Sequence, residues 1–277
     1  MAIQTAQDPD AFAVFEQQGW EAVSHDYAYW FTPLTRQTVE PLLDAARIDA
    51  SSRLLDVATG PGIVAAGAVA REVDTIGLDF AVEAIDIASR NVRGACFEVG
   101  DAQAMSYADG SFDNVTCAYG IIHMPSPDRA LAEMYRVLKP GGRVALSVWE
   151  APSDDNGFGL LYRSIRQHGN MDVDLPDGPD FFQFGQPVLL SDALSSIGFT
   201  NIDIKLITQY WILDDPDDFI TCFADATVRS RGLLAAQTPR ARAEIFASVR
   251  DGLLAFYEND DTYHIPMPAL IGSAIRP

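Results

Sequence analysis

The sequence is poor in cysteine, and the few thiols that it has are badly placed for cross-linking or metal binding. Its 277 residues include three cysteines, Cys96, Cys117 and Cys222, which lie far apart and form no Cys-x-x-Cys pair. A disulfide framework or a structural zinc site needs closer and more numerous ligands. We therefore expect reduced thiols, no bound metal and a cytoplasmic location.

Positive charge is also scarce. Lysine and arginine number 19 against 39 aspartates and glutamates, which gives a formal net charge of −20. A surface of that charge repels nucleic-acid phosphates and anionic lipid headgroups. Neither nucleic acid nor a membrane is therefore expected as a partner, and the oligomeric state is left open.

Long apolar runs and internal repeats are missing as well. The longest run of small apolar residues, Ile63 to Ala70, is too short to span a bilayer, and the first ten residues lack the basic and apolar regions of a secretory leader. Without repeats of 20 to 50 residues, solenoids and propellers are excluded. Without a leader or a spanning run, the chain is expected to be soluble and unprocessed. Its hydrophobic content of 48% is enough for a substantial core.

Short apolar runs alternate with helical segments in the middle of the chain. The expected strands are Arg53–Ala58, Thr75–Asp79, Ala95–Val99, Phe112–Tyr119 and Arg143–Trp149. The expected connecting helices are Ile63–Glu72, Val82–Val92 and Pro127–Leu138. Unalternated runs bounded by glycine or aspartate are typical of strands buried on both faces of a parallel sheet. The pattern predicts a doubly wound α/β fold with right-handed crossovers.

The flanking segments are less regular. The apolar spacing in residues 1–50 predicts short helices broken at Pro33 and Pro41. Four aromatic residues of this segment are expected to belong to the core and also to form a lid over a ligand: Trp20, Tyr27, Tyr29 and Trp30. Residues 151–200 and 214–258 predict helical insertions, with Ser191 capping a helix that ends at Gly198. A single strand is expected over Ile202–Leu213. An edge or irregular strand is expected over Tyr263–Ile275 because of its prolines.

Ligand-competent residues follow three consecutive strands. The first strand runs into Asp56-Val-Ala58-Thr-Gly60-Pro-Gly62, whose glycines let a ligand approach the backbone closely. The second strand ends in Asp79, a carboxylate suited to two ribose hydroxyls, and the third is followed by Asp101 and Ala102, which suit the edge of a base. Ligands of open α/β sheets bind at the carboxyl ends of strands, so a nucleoside-containing cofactor is predicted there.

Two further phrases make the pattern specific. They are Ser111-Phe-Asp113-Asn-Val with Ile122-His-Met-Pro-Ser-Pro127, and Arg136-Val-Leu-Lys-Pro-Gly-Gly-Arg143. With the glycine turn and the strand-end acids, residues 51–150 resemble class I S-adenosylmethionine-dependent methyltransferases, in the small-molecule group that includes the quinone-biosynthesis C-methyltransferases. The resemblance implies S-adenosylmethionine as cofactor and methyl transfer to a small-molecule O, N or C nucleophile.

The resemblance also implies an architecture. It is a Rossmann-like sheet of seven strands with the last strand antiparallel, in one domain over residues 1–277. Residues 1–50 would form the helical lid and residues 51–150 the cofactor-binding core. The insertions at 151–200 and 214–258 would shape the acceptor pocket.

The residues that the resemblance places at the site share positions at strand ends or on the lid. Those expected to bind the cofactor are Tyr27, Asp56, Ala58, Gly60, Gly62, Asp79, Phe80, Asp101, Ala102, Ala118 and Tyr119. Ala58 stands where the family has a glycine, which costs little if its φ is negative. His123 follows the fourth strand and is the candidate general base, since imidazole titrates near neutral pH; the alternative is a histidine that only lines the pocket.

Two other functions remain open. Gly60-Pro-Gly62-Ile-Val-Ala65 also fits the dinucleotide-binding pattern G-x-G-x-x-G/A, so an NAD-linked oxidoreductase is possible. Against it, a carboxylate after the third strand has no role in holding a pyrophosphate, and dehydrogenases lack a counterpart of the turn at Lys139–Arg143. The third possibility is a module that binds the cofactor without turnover.

Overall fold

The computed structural model describes residues 9–258 and 261–277. The first eight residues of the expected lid lie outside the described residues. No helix in the two described ranges is long and apolar enough to cross a membrane. Within the same ranges, no cluster of three or more His, Cys, Asp or Glu side chains could hold a metal ion.

Two sheets are present in the part of the chain that the structure describes. Their strands are β1 Arg53–Val57, β2 Asp74–Asp79, β3 Cys96–Val99, β4 Phe112–Ala118, β5 Leu138–Trp149, β6 Thr200–Ile207, β7 Tyr210–Leu213, β8 Tyr263–Pro266 and β9 Ala269–Ile275. Seven of them form the central sheet, in the order β3-β2-β1-β4-β5-β9-β6, and β7 pairs with β8 in the second sheet. The strands β1 to β5 pair in parallel, and β9 runs antiparallel to both β5 and β6. The predicted doubly wound sheet with an antiparallel last strand is confirmed.

Helices cover the sheet and its carboxyl edge. They are α1 Pro9–Trp30, α2 Thr32–Thr35, α3 Val39–Ala46, α4 Ile63–Ala70, α5 Val82–Asn91, α6 Pro127–Val137, α7 Gly157–His168, α8 Pro187–Ile197, α9 Pro216–Asp225, α10 Arg229–Ala235 and α11 Pro239–Leu253. Short 3₁₀ turns occur at Arg36–Thr38, Ile121–His123 and Leu254–Phe256. The helices predicted between the strands are confirmed to within a few residues at their ends.

The core explains why the central strands carry apolar residues on both faces. Leu54 and Leu55 are neighbours on β1, point to opposite faces of the sheet, and are both fully buried, as is Val115 on β4. Helix α6 follows the helical period instead and buries Leu131 and Met134 against the sheet. The sheet is therefore covered on both faces, as parallel sheets are.

The carboxyl-terminal predictions need two corrections. The expected strand Ile202–Leu213 is interrupted before Tyr210, because β6 stays in the large sheet whereas β7 pairs with β8 in a separate two-stranded sheet. The segment Tyr263–Ile275 likewise holds two strands, and β9 lies inside the large sheet rather than at its edge. Its prolines lie at the end of β8 and before β9, where they interrupt no pairing within β9.

Two helix boundaries were also predicted wrongly. The helix α1 is continuous over 22 residues. Pro41 does not break a helix, because it lies in the first turn of α3, where a backbone N–H has no partner within the helix. Ser191 lies inside α8, which begins earlier at Pro187. Gly198 does end that helix, with a left-handed φ of 104°.

Candidate functional site

A cleft lies across the carboxyl ends of β1 to β4, beneath α1. Its main cavity, of about 290 Å³, is lined from the strand ends by Asp79, Phe80, Asp101 and Ala102, with Ala58 and His123 beside them. Residues Ala13, Glu16 and Gln17 of α1 line the facing side. The sequence therefore identified the strand-end residues that meet in one cleft.

The glycine turn divides between the cleft and the core. Gly60 has a φ of +53°, and a side chain added there would meet no atom within 4 Å, so the turn presents bare backbone to the cavity. Gly62 differs, because a Cβ at that position would lie 3.1 Å from Ala88 and from Val92. Gly62 is the N-cap residue of α4 and has a left-handed φ of +84°. Because it has no side chain, the turn can pack closely against α5. The prediction that Gly62 contacts the cofactor has no support in this geometry.

Ala58 does not meet the condition under which an alanine would cost little at this position. Its φ is +53°, in the left-handed region, where an alanine costs about 1 kcal/mol relative to glycine. Ala58 nevertheless lines the cleft at the end of β1. Two residues further on, the amide of Gly60 donates a hydrogen bond to Asp79.

Asp79 is buried and holds the glycine turn. One carboxylate oxygen accepts a hydrogen bond from the Gly60 amide at 2.9 Å, and the other accepts one from the Ala81 amide at 3.0 Å. Burial raises the pKa of Asp79, and these backbone donors oppose that rise. A carboxylate has more acceptor sites than these two amides occupy, and Asp79 lines the cleft, so it can accept hydroxyl donors from a ligand.

Asp56 lies deeper, under the same turn. It is 1% exposed and accepts hydrogen bonds from the hydroxyls of Thr59 at 2.6 Å and Thr116 at 2.9 Å. Burial raises its pKa to about 6, although the two threonines lower it and nearby Asp79 adds to the rise. It lines a small cavity of about 40 Å³ with Gly60, and a cationic group placed there would be attracted to the carboxylate.

Asp101 lies at the open end of the cleft. Its side chain is exposed, and one oxygen accepts a hydrogen bond from the amide of Gln103 at 2.8 Å. Phe80 and Val99 line the same end and give it an apolar wall. This end suits a flat, partly apolar group with polar edges.

His123 lies where the cleft meets a second, inner cavity. Its Nδ1 is 3.0 Å from a carboxylate oxygen of Glu16 on α1, and the indole of Trp20 donates to the same oxygen at 3.0 Å. Sequence reasoning missed Glu16. The available signal was its spacing of four residues from Trp20 and eleven from Tyr27, which places an acid on the aromatic face of one helix.

Helix α1 is held over the cleft by a second acid that sequence reasoning missed. Glu21 accepts hydrogen bonds from the amides of Val82 at 2.7 Å and Glu83 at 3.1 Å, so it caps the start of α5. His25 bonds Glu83 at 2.8 Å beside this contact. Of the expected lid aromatics, Trp20 and Tyr27 line the cavities, whereas Tyr29 is 71% exposed.

The inner cavity is small and almost wholly aromatic. Its volume is about 30 Å³, and its aromatic lining consists of Trp20, Tyr27, Phe31, Tyr119, Trp149, Phe158, Tyr162, Phe181 and Phe223. We call it the aromatic chamber. Arg229 supplies a cation to its lining, and His123, Tyr27 and Tyr119 line both the chamber and the cleft.

Tyr119 is fixed between the two cavities. Its hydroxyl accepts a hydrogen bond from Gln209 at 2.9 Å and lies 3.1 Å from the hydroxyl of Thr38, while its ring stacks on Trp149. Burial raises its pKa. Gln209 lies in the break between β6 and β7, so the interruption of that predicted strand positions a side chain of the site. Ala118, just before it, lines the cleft as expected.

Comparison with known proteins agrees with this geometry. Residues 55–146 match a family model described as a methyltransferase domain. Demethylmenaquinone methyltransferase of Deinococcus radiodurans is 42% identical over 123 residues, which is 42% of this chain and 50% of that protein. The chain spans about half the length of the curated relatives that it matches.

Solved structures agree over more of the chain. Phosphoethanolamine N-methyltransferase 2 of Haemonchus contortus, in complex with S-adenosylhomocysteine, has a TM-score of 0.57 at 17% identity, covering 96% of this chain and 60% of that one. The [4+2]-cyclase SpnF has a TM-score of 0.51 at 20% identity, covering 87% and 80%. At such low identity these matches establish the fold and not the reaction.

The fold and the matched segment define the class. Residues 55–146 match the methyltransferase domain model, and they lie in a fold that solved S-adenosylmethionine-dependent methyltransferases share, in a chain that continues on both sides of the match.

Proposed function

We propose that this protein transfers the methyl group of S-adenosylmethionine to a small-molecule acceptor. The observation that carries the proposal is that His123 lines both the strand-end cleft and the aromatic chamber. A long cofactor and a separate acceptor would meet where the two cavities join. The relatives named as methyltransferases support the same reaction.

The cleft offers suitable groups for each part of the cofactor. Asp79 would accept the ribose hydroxyls, and Asp101 with Ala102 would bind the adenine edge beside Phe80. Asp56 and the bare backbone at Gly60 would face the amino-acid end, whose ammonium group complements a buried carboxylate. When bound, the cofactor would supply an electrophilic sulfonium methyl group: an electron pair of the acceptor would form the new bond to the methyl carbon while the C–S bond breaks and its electron pair stays on sulfur.

The aromatic chamber would receive the reacting end of the acceptor, and its walls would have to move apart for this, because a volume of about 30 Å³ admits little more than a water molecule. Its walls favour a planar, largely apolar molecule, and the names of the curated relatives point to the quinone class. Alignment and exclusion of water are the main tasks of the protein, because the sulfonium is already a good leaving group. His123 would accept the proton of an acceptor hydroxyl or ring carbon as the new bond to methyl forms.

A second candidate is a protein that binds the cofactor without transferring its methyl group. The similarity in fold to the [4+2]-cyclase SpnF supports this second candidate, because that protein shows that the fold does not always serve methyl transfer. Calorimetric titration with S-adenosylhomocysteine and with NADH separates the candidates. Binding of S-adenosylhomocysteine, together with methylation of naphthoquinols or phenols from S-adenosylmethionine, supports the proposal. Binding of S-adenosylhomocysteine without any methylated product supports the second candidate. Binding of NADH alone would indicate an oxidoreductase.

A further inference from the structure

We propose that Glu16 is a positioning residue that holds His123 with its proton on Nδ1 and its basic Nε2 free for the acceptor. The inference rests on the proposed function for the role of His123 as a base. The bond between the two side chains stands on its own geometry.

The burial and bonding of Glu16 fix the direction of that hydrogen bond. Its side chain is 3% exposed, and its Oε2 receives both the Trp20 indole and the His123 ring, each at 3.0 Å. An ionised carboxylate only accepts hydrogen bonds, so the ring nitrogen facing it must carry the proton. A neutral imidazole protonated on Nδ1 has its lone pair on Nε2.

Neighbouring rings restrict the orientation of the imidazole. Trp20 meets the His123 ring edge to face with centroids 4.8 Å apart, and Phe181 meets it at 5.5 Å. Turning the ring over about its Cβ–Cγ bond would move Nδ1 away from Glu16 and lose their hydrogen bond. The imidazole is therefore held in one orientation at the junction of cleft and chamber.

The pairing also links the base to the lid. Glu16 and His123 are 107 residues apart in sequence and belong to different elements, α1 and the 3₁₀ turn after β4. They meet only while α1 is docked, and Glu21 supports that docking through the first amides of α5. Glu16 thus couples closure of the lid to correct orientation of the base.

The test compares wild type with Glu16→Ala and Glu16→Gln, with Gln18→Ala as the matched control. Gln18 lies two positions away on the same helix and is exposed. In ¹⁵N-histidine-labelled protein, the His123 signals are identified by their loss in His123→Gln, and two-bond ¹H–¹⁵N spectra show which ring nitrogen carries the proton. No cofactor or acceptor is needed for this readout.

We expect neutral His123 to be protonated on Nδ1 in wild type and in Gln18→Ala. Glu16→Ala should shift the proton toward Nε2, whereas Glu16→Gln, whose amide oxygen can still accept from Nδ1, should keep the wild-type form in large part. With an acceptor in hand, kcat should fall about 10- to 100-fold in Glu16→Ala, with KM within about threefold and partial recovery in Glu16→Gln.

A wild-type ring protonated on Nε2, or a Glu16→Ala variant with unchanged tautomer and kcat, would overturn the inference. Failure of the proposed function gives a different result. If no acceptor is methylated, the tautomer spectra still decide whether Glu16 orients His123.

Discussion

Replacing Asp56 with asparagine should make the protein without cofactor more stable while weakening cofactor binding. The carboxylate is 1% exposed, and burial raises its pKa from 3.8 to about 6. At neutral pH the folded protein must therefore keep this group charged in an unfavourable environment. Asparagine has nearly the same shape and can still exchange hydrogen bonds with the hydroxyls of Thr59 and Thr116.

The magnitude follows from the difference in pKa between the folded and unfolded states. Because the pKa of Asp56 is 3.8 in the unfolded chain and about 6 in the folded protein, its charge costs about 3 kcal/mol of folding free energy at pH 7 and above. Because the folded pKa is the higher one, this cost is absent below pH 3.8 and is fully developed only above about pH 6. The advantage of Asp56→Asn should therefore grow by about 1 kcal/mol between pH 5 and pH 7.5.

Urea denaturation of wild type and Asp56→Asn at the two pH values measures this directly. Asp192→Asn, at an exposed position on α8, controls for the change in net charge. In the same variant, affinity for S-adenosylhomocysteine should fall tenfold or more, because a charge-assisted bond to the ammonium group is lost. A destabilised variant, or an advantage that does not depend on pH, would refute the reasoning.

Four further substitutions test other parts of the site. Asp79→Asn should weaken S-adenosylhomocysteine binding about tenfold by calorimetry, and unchanged affinity would contradict its assignment to the ribose. Gly60→Val should abolish that binding while circular dichroism stays native; normal binding would mean that the turn only packs on the core. His123→Ala should lower kcat by about 10²- to 10⁴-fold with cofactor affinity kept, and superimposable pH–rate profiles of variant and wild type would defeat its role as base. Glu21→Ala should expose α1 to protease cleavage by freeing it from α5, and unchanged protection would show that other contacts hold the lid.

Much of the fold could be predicted from the sequence because its central strands combine two independent signals. The run ending at Asp56 is apolar on both faces and is followed by a glycine turn, which together indicate a buried parallel strand with a ligand at its end. The same reasoning found Asp79 and Asp101. Strand ends at one sheet edge converge whatever the sequence between them, so these predictions did not depend on loop details.

The errors arose where tertiary contacts decide local structure. The run Ile202–Leu213 reads as one strand, and the break before Tyr210 becomes visible only when Gln209 is seen bonded to Tyr119. A G-x-G pattern likewise cannot show which glycine faces a ligand. The packing of Ala88 and Val92 against Gly62, which gives that glycine a structural role, is visible only in the fold.

The missed acids show a second kind of difficulty. Glu16 and Glu21 are ordinary helical residues in the sequence, among 39 acidic residues. Their partners, His123 and the first amides of α5, are about 60 to 107 residues away along the chain. The sequence can place Glu16 on the aromatic face of its helix, but it carries no signal for the pairing with His123, which depends on where α1 lies on the sheet edge.

The central claim is that the cleft and the aromatic chamber together perform methyl transfer. Its most direct test is mass spectrometry of a naphthoquinol acceptor after incubation with trideuteromethyl-labelled S-adenosylmethionine and the wild-type protein. We predict that the acceptor gains one trideuteromethyl group in place of a hydrogen, and that His123→Ala greatly slows this gain. Consumption of the cofactor without label in the acceptor, or modification of the acceptor only when NADH is supplied, would contradict the account.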